Sequence, residues 1–439
     1  MTWTTIALLL LVFLLGVLTT HSSMRLLARR LFSGRETSVN ASPPVTGDNS
    51  AKRFGNIHES ASGVPLTAGN SVELLLDGPS TYREMLRAIR SATDHVHLQS
   101  YTFIDGEAAA QFSELLIEKA ERGLAVKIVF DALGSFEVSR RLVSKLEQSG
   151  VQVRSFQRSL DLRFWRMHQR DHRKMLIVDG HIGFVGGINI TDEYLGEKSA
   201  FDDSFQPPEQ RGWHDLHART EGPVVADLQR LFLSVWLNMG RDVSMDNCLF
   251  PEPIQQGNCL ASIVASDRLD SESRIVDGQI AAMQAATQSI LITHAYFVPP
   301  REFVDALKAA VIRGVDVRLI LPSFSDNAPA LYASHAHFEE LLAAGVRIFE
   351  FKPRMLHSKT MVVDTQWLTI GSSNLDIRSL EHNNEANLVV VDPQLAEQMT
   401  QRFEADLGQT EEVLLDDWLQ RSVLQRIKER AALVLKYWL

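Results

Sequence analysis

Cysteine is scarce in this chain of 439 residues, which contains only Cys248 and Cys259. Two cysteines eleven positions apart provide neither a disulfide framework nor the ligand spacing of the common metal sites. In an oxidising compartment they could close one loop as a disulfide, but we favour free thiols. With 45% hydrophobic residues, the chain can instead form two or three domains, each with its own core.

An excess of positive charge is also absent. The chain has 44 Lys and Arg residues against 54 Asp and Glu residues, so its formal net charge is −10. An acidic surface repels the phosphates of nucleic acids. The charge balance therefore argues against a nucleic-acid partner, although a local basic site could override it.

Charged residues are missing from positions 3 to 20, a run dominated by Leu, Ile, Val and Phe. As a helix, this run extends about 27 Å, which is just enough to span a bilayer. No Lys or Arg precedes it and no clear small-x-small site follows it, which disfavours a cleaved signal peptide. Arginines come directly after it, and the positive-inside rule places the bulk of the protein on the cytoplasmic side. We predict a single-pass inner-membrane protein with its anchor and basic flank at residues 1–35.

Beyond the anchor, the chain divides into a polar stretch and two similar halves. Residues 36–70 are rich in Ser, Thr, Asn, Gly and Pro, which is typical of a flexible linker. From residue 71, apolar strands alternate with helices, which predicts a mixed sheet covered by helices. The same order returns later, with Tyr296 in the place of Tyr101. We predict an α/β protein with two homologous lobes, 71–245 and 258–410, joined by residues 246–257.

The end of the chain, residues 411–439, has apolar residues at nearly helical periodicity, with basic residues largely between them. This pattern predicts an amphipathic helix. The helix could pack on the lobes, which is the commoner arrangement, or lie on an anionic membrane surface.

One motif occurs in both halves at the same spacing. The pattern H-x-K-x-x-x-x-D, with an Asn further on, is formed by His172, Lys174, Asp179 and Asn189, and again by His357, Lys359, Asp364 and Asn374. A His and a Lys two apart on a strand point to the same face. Lys supplies positive charge for a phosphate-bearing substrate, and His can act as nucleophile or acid/base near neutral pH. A single copy could be a hairpin with a surface His, but the repetition favours a phosphate site.

A further acid recurs in each half. Asp215 and Glu385 each precede a Pro by eight residues, so they occupy corresponding positions. Either could be a solvated charge at the end of a strand, but we favour a carboxylate that orients a catalytic imidazole through its other nitrogen. The acids of the two motifs, Asp179 and Asp364, lie at strand ends, where a structural role is more typical.

With these motifs in place, the chain resembles the phospholipase D superfamily, and within it the bacterial cardiolipin synthases. The resemblance covers roughly residues 71–439. It implies one active site between two phospholipase D-like lobes that face each other, with no metal ion and no other cofactor. His172 is then the nucleophile that forms a phosphohistidine, and His357 is the general acid/base. The implied phosphate-binding residues are Lys174, Asn189, Lys359, Ser372 and Asn374, while Gly187 takes the place of Ser372 in the first lobe.

For a cardiolipin synthase, the partners are membrane phospholipids: one phosphatidylglycerol donates its phosphatidyl group to another, which gives cardiolipin and glycerol. The nearest alternative is a phospholipase D that hydrolyses other phospholipids or joins other alcohols to them. A nuclease of the same superfamily is disfavoured by the acidic charge and the predicted anchor. An inactive membrane scaffold on the same fold is disfavoured by the intact motifs in both lobes.

Overall fold

The computed structural model of the chain describes one compact unit over five ranges, namely 50–157, 169–196, 212–240, 248–266 and 273–434. The predicted anchor at residues 3–20 lies outside these ranges. None of the helices within them is both long and apolar enough to cross a membrane.

Strands and helices alternate through most of the described ranges. The strands are β1 Thr67–Leu75, β2 His95–Ser100, β3 Ala125–Asp131, β4 Gln152–Phe156, β5 Met175–Val178, β6 Ile182–Gly186, β7 His217–Glu221, β8 Cys259–Ser266, β9 Ser289–His294, β10 Asp316–Pro322, β11 Arg347–Phe351, β12 Lys359–Val363, β13 Trp367–Gly371, β14 Glu385–Val391 and β15 Thr410–Val413. The helices are α1 Ser50–Ser62, α2 Gly78–Ser91, α3 Glu107–Glu121, α4 Arg140–Gln148, α5 Val225–Asn238, α6 Arg274–Ala285, α7 Arg301–Ile312, α8 Ala328–His335, α9 Phe338–Ala343, α10 Ile377–Glu381, α11 Pro393–Leu407, α12 Leu415–Leu419 and α13 Val423–Val434.

The strands of the two halves have the same order in the sheet. The first half reads β1-β7-β6-β5-β2-β3-β4, and the second reads β8-β14-β13-β12-β9-β10-β11 with β15 added at its edge. In each half the last three of these seven strands are parallel, and the other pairs are antiparallel. Strands β1 and β8 pair with each other, so the described strands form one sheet of fifteen. The predicted mixed α/β fold with two repeated lobes is confirmed.

The strand inside each motif, β5 or β12, is buried at every position because both of its faces are covered. In β5, Met175 and Ile177 belong to a hydrophobic core to which both lobes contribute, whereas Leu176 and Val178 belong to a core of the first lobe. In β12 the same alternation places Val362 in the shared core. The two lobes are therefore held together by the very strands that begin at the motifs.

The structure differs from the flexible linker predicted at residues 36–70. Residues 36–49 lie outside the described ranges, but Ser50–Ser62 forms helix α1 and is followed by β1. Phe54 of α1 is buried in the core of the second lobe, and His58 Nε2 lies 2.9 Å from Ser262 Oγ. The polar composition concealed this helix because a small number of apolar residues is enough to hold it against the lobe.

The end of the chain also differs from the single helix predicted at residues 411–439. The chain first adds β15 to the sheet and then forms two short helices, α12 and α13, while residues 435–439 lie outside the described ranges. The ring of Trp418 lies 4.8 Å from that of Phe338 and 5.3 Å from that of His335. This segment therefore packs on the second lobe, which was one of the two expected arrangements.

The two cysteines are free, as predicted. Cys248 is exposed, and the Cys259 thiol donates a hydrogen bond of 3.3 Å to Asp392 Oδ2. The fold therefore uses hydrophobic cores and hydrogen bonds in this region and no disulfide.

Candidate active site

The two motifs meet where the lobes join, and each is hydrogen-bonded to the opposite lobe. The backbone N–H of His172 donates to the carbonyl of Asn384 over 3.0 Å, and that of His357 donates to the carbonyl of His214 over 2.8 Å. Asn384 and His214 each directly precede one of the two recurring acids. As a result, both imidazoles line one cavity, with only 8% of His172 and 5% of His357 exposed.

Each imidazole is bound by the acid of the other lobe. His172 Nδ1 lies 3.0 Å from both carboxylate oxygens of Glu385, and His357 Nδ1 lies 2.6 Å from Asp215 Oδ2. An ionised carboxylate only accepts hydrogen bonds, so Nδ1 carries the hydrogen in each ring. The lone pair is then on Nε2, the nitrogen that is free to react.

The two pairs differ in their electrostatics. Burial lowers the pKa of His172, although the charge of Glu385 opposes the shift. Burial alone would raise the pKa of Glu385, but His172 and Lys174 outweigh it and keep that pKa below its usual value. In the other pair, burial raises the pKa of Asp215 to about 6. Glu385 is thus firmly ionised at neutral pH, whereas Asp215 is closer to taking up a proton.

The two lysines lie beside the histidines of their own motifs. Lys174 Nζ donates to the carbonyl of His172 over 2.6 Å. Lys359 Nζ donates to the carbonyl of His357 and lies 3.0 Å from its Nδ1. Burial lowers the pKa of Lys174 to about 7 and that of Lys359 to about 8. A negatively charged ligand in the cavity would favour the charged form of both lysines.

The two asparagines of the motifs both line the cavity. Asn189 is held by the backbone N–H of Thr102, which donates to its Oδ1 over 3.1 Å, and its Nδ2 donates to the Tyr194 hydroxyl over 3.3 Å. Asn374 is 7% exposed, and its Oδ1 has no hydrogen-bond partner among the described residues. Asn374 therefore has more unused hydrogen-bonding capacity than Asn189 with which to bind a ligand.

The hydroxyl of Ser372 points to a different partner from the one expected. It donates to Glu385 Oε2 over 2.6 Å, so its single hydrogen is already used. Its hydroxyl is fully buried against the acid that holds His172, and a role of Ser372 in phosphate binding stays a prediction.

Gly187, which occupies the corresponding place in the first lobe, leaves room for Asp215. A Cβ atom at this position would lie only 2.3 Å from Asp215 Oδ1 and 2.4 Å from Oδ2. The close approach of Asp215 thus requires the absence of a side chain at Gly187, whereas Glu385 accepts a hydrogen bond from the Ser372 hydroxyl.

The acids of the two motifs, Asp179 and Asp364, stabilise turns. Asp179 Oδ1 accepts the backbone N–H groups of Asp94 and His95, each over 2.9 Å. Asp364 Oδ1 accepts those of Gln288 over 2.7 Å and Ser289 over 3.0 Å. Both acids also have positive φ angles, 53° and 52°, at the ends of β5 and β12. They fit the structural role that their position at strand ends suggested, and neither is placed to react.

Aromatic side chains surround the two imidazoles. The ring of Tyr101 lies 4.9 Å from that of His172, and the rings of Trp213 and Tyr296 lie 5.5 Å and 6.2 Å from that of His357. The Tyr194 hydroxyl lies 3.2 Å from His357 Nδ1. The repeat already paired Tyr101 with Tyr296, but nothing in the spacing signalled Tyr194 or Trp213.

The cavity has a volume of about 260 Å³ and a largely polar and aromatic lining. Besides the histidines, asparagines and aromatic rings already described, its walls carry Thr102, Arg170, Asp326, Asn327, Ala330, Asp376, Arg378, Ser379 and Asn383. No cluster of three or more His, Cys, Asp or Glu suited to a metal ion occurs within the five ranges that the structure describes. The arrangement offers two bases, buried positive charge and amide groups to an anionic ligand.

Known proteins resemble this chain in sequence and in fold. The family described as "Cardiolipin synthase, PLD-like domain" matches residues 85–200 and 279–407. Cardiolipin synthase A of Pseudomonas fluorescens is 35% identical over 84% of this chain and 75% of its own length. Cardiolipin synthase 1 of Bacillus anthracis is 31% identical over 92% of this chain and 79% of its own length.

The crystal structure of phosphatidylserine synthase from Haemophilus influenzae has the same fold. It matches with a TM-score of 0.62 over 88% of this chain and 100% of that chain, at 13% identity. Two repeated α/β lobes with one motif each thus define a phospholipase D-type protein. The chain belongs to the family of phospholipase D-like domains described as cardiolipin synthase.

Proposed function

We propose that this protein is a cardiolipin synthase that transfers the phosphatidyl group of one phosphatidylglycerol to a second one and releases glycerol. The observation that carries the proposal is that each of the two histidines on one cavity contacts the carboxylate of the opposite lobe, which we call the crossed contacts. The relatives of the chain are named cardiolipin synthases. Two bases on opposite sides of one phosphodiester allow a displacement in two steps.

In the first step, His172 Nε2 attacks the phosphorus atom and the bond from phosphorus to the glycerol oxygen breaks. His357 must enter this step protonated on both nitrogens; it donates the Nε2 proton to the departing oxygen and becomes neutral. The low pKa of Glu385 supports His172 as the nucleophile, because an ionised partner holds the hydrogen on Nδ1 and stabilises the positive charge that develops on the ring.

In the second step, a hydroxyl of the acceptor attacks the phosphohistidine. His357 takes the proton of that hydroxyl, a new phosphorus–oxygen bond forms and the bond to His172 breaks. The nearby Asp215, whose pKa burial raises to about 6, stabilises His357 when it is protonated. The same two residues thus act in both steps: His172 is first the nucleophile and then the leaving group, and His357 changes from general acid to general base.

Lys174, Lys359, Asn189 and Asn374 stabilise the phosphoryl oxygens in this proposal. Charge builds on those oxygens in the transition state, and buried donors are worth more there than they are in water. The incoming phosphate also keeps both lysines protonated, since a nearby negative charge favours the ammonium form. Neither lysine is among the residues that line the cavity, but each is almost fully buried, with 1% of Lys174 and 2% of Lys359 exposed, and lies directly beside a histidine that does line it.

The lipid substrates imply that the protein works at a membrane. The uncharged run at residues 3–20, with arginines after it, supports a single-pass anchor in the bacterial inner membrane with the lobes on the cytoplasmic side. A C-terminal reporter that is active only outside the cytoplasm would overturn this orientation.

The proposed reaction is tested by lipid analysis of a cardiolipin-deficient bacterium that expresses the chain. We expect cardiolipin to appear with the wild type and to be absent with His172→Ala or His357→Ala. Phosphatidic acid in place of cardiolipin would identify a hydrolytic phospholipase D. No new lipid at normal protein levels would identify a scaffold.

A further inference from the structure

One wall of the cavity carries positive charge that the reaction described above does not use. Arg378 lines the cavity, and its guanidinium makes no hydrogen bond or ion pair with other residues in the described part of the chain. Guanidinium groups bind phosphates through two parallel hydrogen bonds, and their charge persists at all relevant pH values. An arginine left available on the wall of a cavity is suited to an anion that arrives with the ligand.

A second arginine lies on the same wall. The backbone N–H of Asn383 donates to the carbonyl of Arg378 over 3.0 Å, and that of Asn384 donates to the carbonyl of Arg170 over 2.8 Å. Because Asn383 and Asn384 are neighbours in sequence, both arginines border one short loop. Burial raises the pKa of Tyr101, and the charges of both arginines oppose that shift, as expected if both lie near its hydroxyl.

An unsatisfied amide lies on the loop that both arginines border. Asn383 lines the cavity and is 8% exposed, and its Oδ1 has no hydrogen-bond partner among the described residues. Buried amide oxygens are nearly always hydrogen-bonded, so a hydroxyl donor from a ligand would complete this site. The wall also contains Asp376, whose pKa burial raises to about 7 and which accepts the N–H of Ser379 over 2.7 Å. At neutral pH this carboxyl is therefore partly protonated, and it repels an anion less than a fully ionised carboxylate would.

We infer that Arg378 and Arg170, with Asn383 of the loop that they border, bind the headgroup phosphate and glycerol of the acceptor phosphatidylglycerol. The inference rests on the proposed function, in which the first phosphate is already attached to His172. The acceptor brings a second phosphate, three carbons from the hydroxyl that attacks, and both must fit in a cavity of about 260 Å³. The two arginines would thus select an anionic phospholipid over water or a neutral alcohol as the acceptor.

The test compares two acceptors that share the first step of the reaction. Vesicles of phosphatidylglycerol are incubated with the full-length protein in the presence of ethanol, and cardiolipin and phosphatidylethanol are both quantified. For Arg378→Met we expect the ratio of cardiolipin to phosphatidylethanol to fall about tenfold or more, since a charged hydrogen bond to the acceptor is lost. Arg378→Lys should lose less, because it keeps the charge, and Arg170→Met should change the ratio in the same direction.

Arg122→Met is the matched control, because Arg122 pairs with Glu118 on the surface of α3 and 65% of its side chain is exposed. It should leave the ratio unchanged. The inference is overturned if Arg378→Met lowers both products equally, or neither. Failure of the proposed function itself has a different signature, namely no cardiolipin from the wild type, and continued phosphatidylethanol formation by the variant shows that it is folded.

Discussion

At the scale of single residues, the two halves of the site are alike in plan and different in detail. Glu385 has one more methylene than Asp215 and accepts the hydroxyl of Ser372, whereas Asp215 lies against Gly187. Charged and hydroxyl partners lower the pKa of Glu385, and burial raises that of Asp215. The two histidines are therefore held by acids of unequal strength, which supports unequal roles.

Replacing Glu385 with Gln should reduce kcat by about 10³-fold or more, because the amide no longer fixes the hydrogen on His172 Nδ1 or stabilises the charged ring. The measurement is the rate of cardiolipin formation in phosphatidylglycerol vesicles. Glu397→Gln, at an exposed position on α11, is the control and should stay within about twofold of the wild type. Activity of Glu385→Gln within tenfold of the wild type would contradict the orienting role.

Replacing Gly187 with Ala should displace Asp215, since the added Cβ would lie 2.3 Å from its Oδ1. We expect loss of activity together with a decrease of about 1–3 kcal/mol in the free energy of unfolding, measured by denaturant titration. Gly55→Ala is the comparison: in helix α1, its Cβ would meet only Leu66 Cδ1, at 3.6 Å. That change should be neutral or stabilising by about 0.5–1 kcal/mol. Equal effects at both positions would argue against the close approach of Asp215.

Both the acid limb and the alkaline limb of the pH profile of kcat/KM should lie at lower pH than the ordinary pKa values of histidine and lysine would give. Both lysines must be charged to bind phosphate, and burial lowers their pKa values to about 7 and about 8. His357 must be protonated to act as the acid, and burial lowers its pKa well below the usual value. On the alkaline side kcat/KM should therefore already be falling by about pH 8. His172 must be neutral to attack, and burial lowers its pKa, so activity should persist below the usual histidine pKa of about 6.5. An activity plateau that extends to about pH 10, where ordinary lysines titrate, would refute this account.

At the scale of elements, the strands inside the motifs could be predicted because the apolar residues between Lys and Asp reflect burial on both faces. Helix α1 could not, because its contacts with the second lobe come from isolated apolar residues in a polar stretch. Equal spacing to Pro identified Asp215 and Glu385 as corresponding acids. It could not indicate which histidine each acid would bind, since that depends on how the two lobes face each other. The same limit applies to Ser372: Glu385 lies 13 residues further along the chain, and only the folded sheet brings it within 2.6 Å of the Ser372 hydroxyl.

The last elements of the chain hold the edge of the second lobe. Trp418 of α12 contacts Phe338 and His335, and the guanidinium of Arg421 lies 4.9 Å from its ring centroid. Trp418→Ala should lower the free energy of unfolding by about 2 kcal/mol, because a half-buried aromatic contact is lost. Leu424→Ala, at a side chain that is 63% exposed, should change it by about 0.5 kcal/mol or less. Equal values for the two variants in denaturant titrations would show that α12 does not stabilise the lobe.

At the scale of the whole molecule, both motifs of one chain complete one cavity. The pairing of β1 with β8 and the shared hydrophobic core join the lobes within a single chain. Co-expression of the His172→Ala and His357→Ala variants should therefore restore no cardiolipin formation, whereas either variant with the wild type should show the wild-type activity. Recovery of activity in the mixture of the two variants would mean that the cavity is assembled from two chains.

The crossed contacts between acids and histidines bear on the ancestry of the chain. A protein with one lobe would have no acid beside its own histidine, and it would obtain one only from a second copy related by a two-fold axis. Fusion of two such copies would leave every contact of the site in place and allow the halves to diverge. The difference between Gly187 with Asp215 and Ser372 with Glu385 is the kind of specialisation that becomes available after duplication, because the surroundings of each histidine can then change independently.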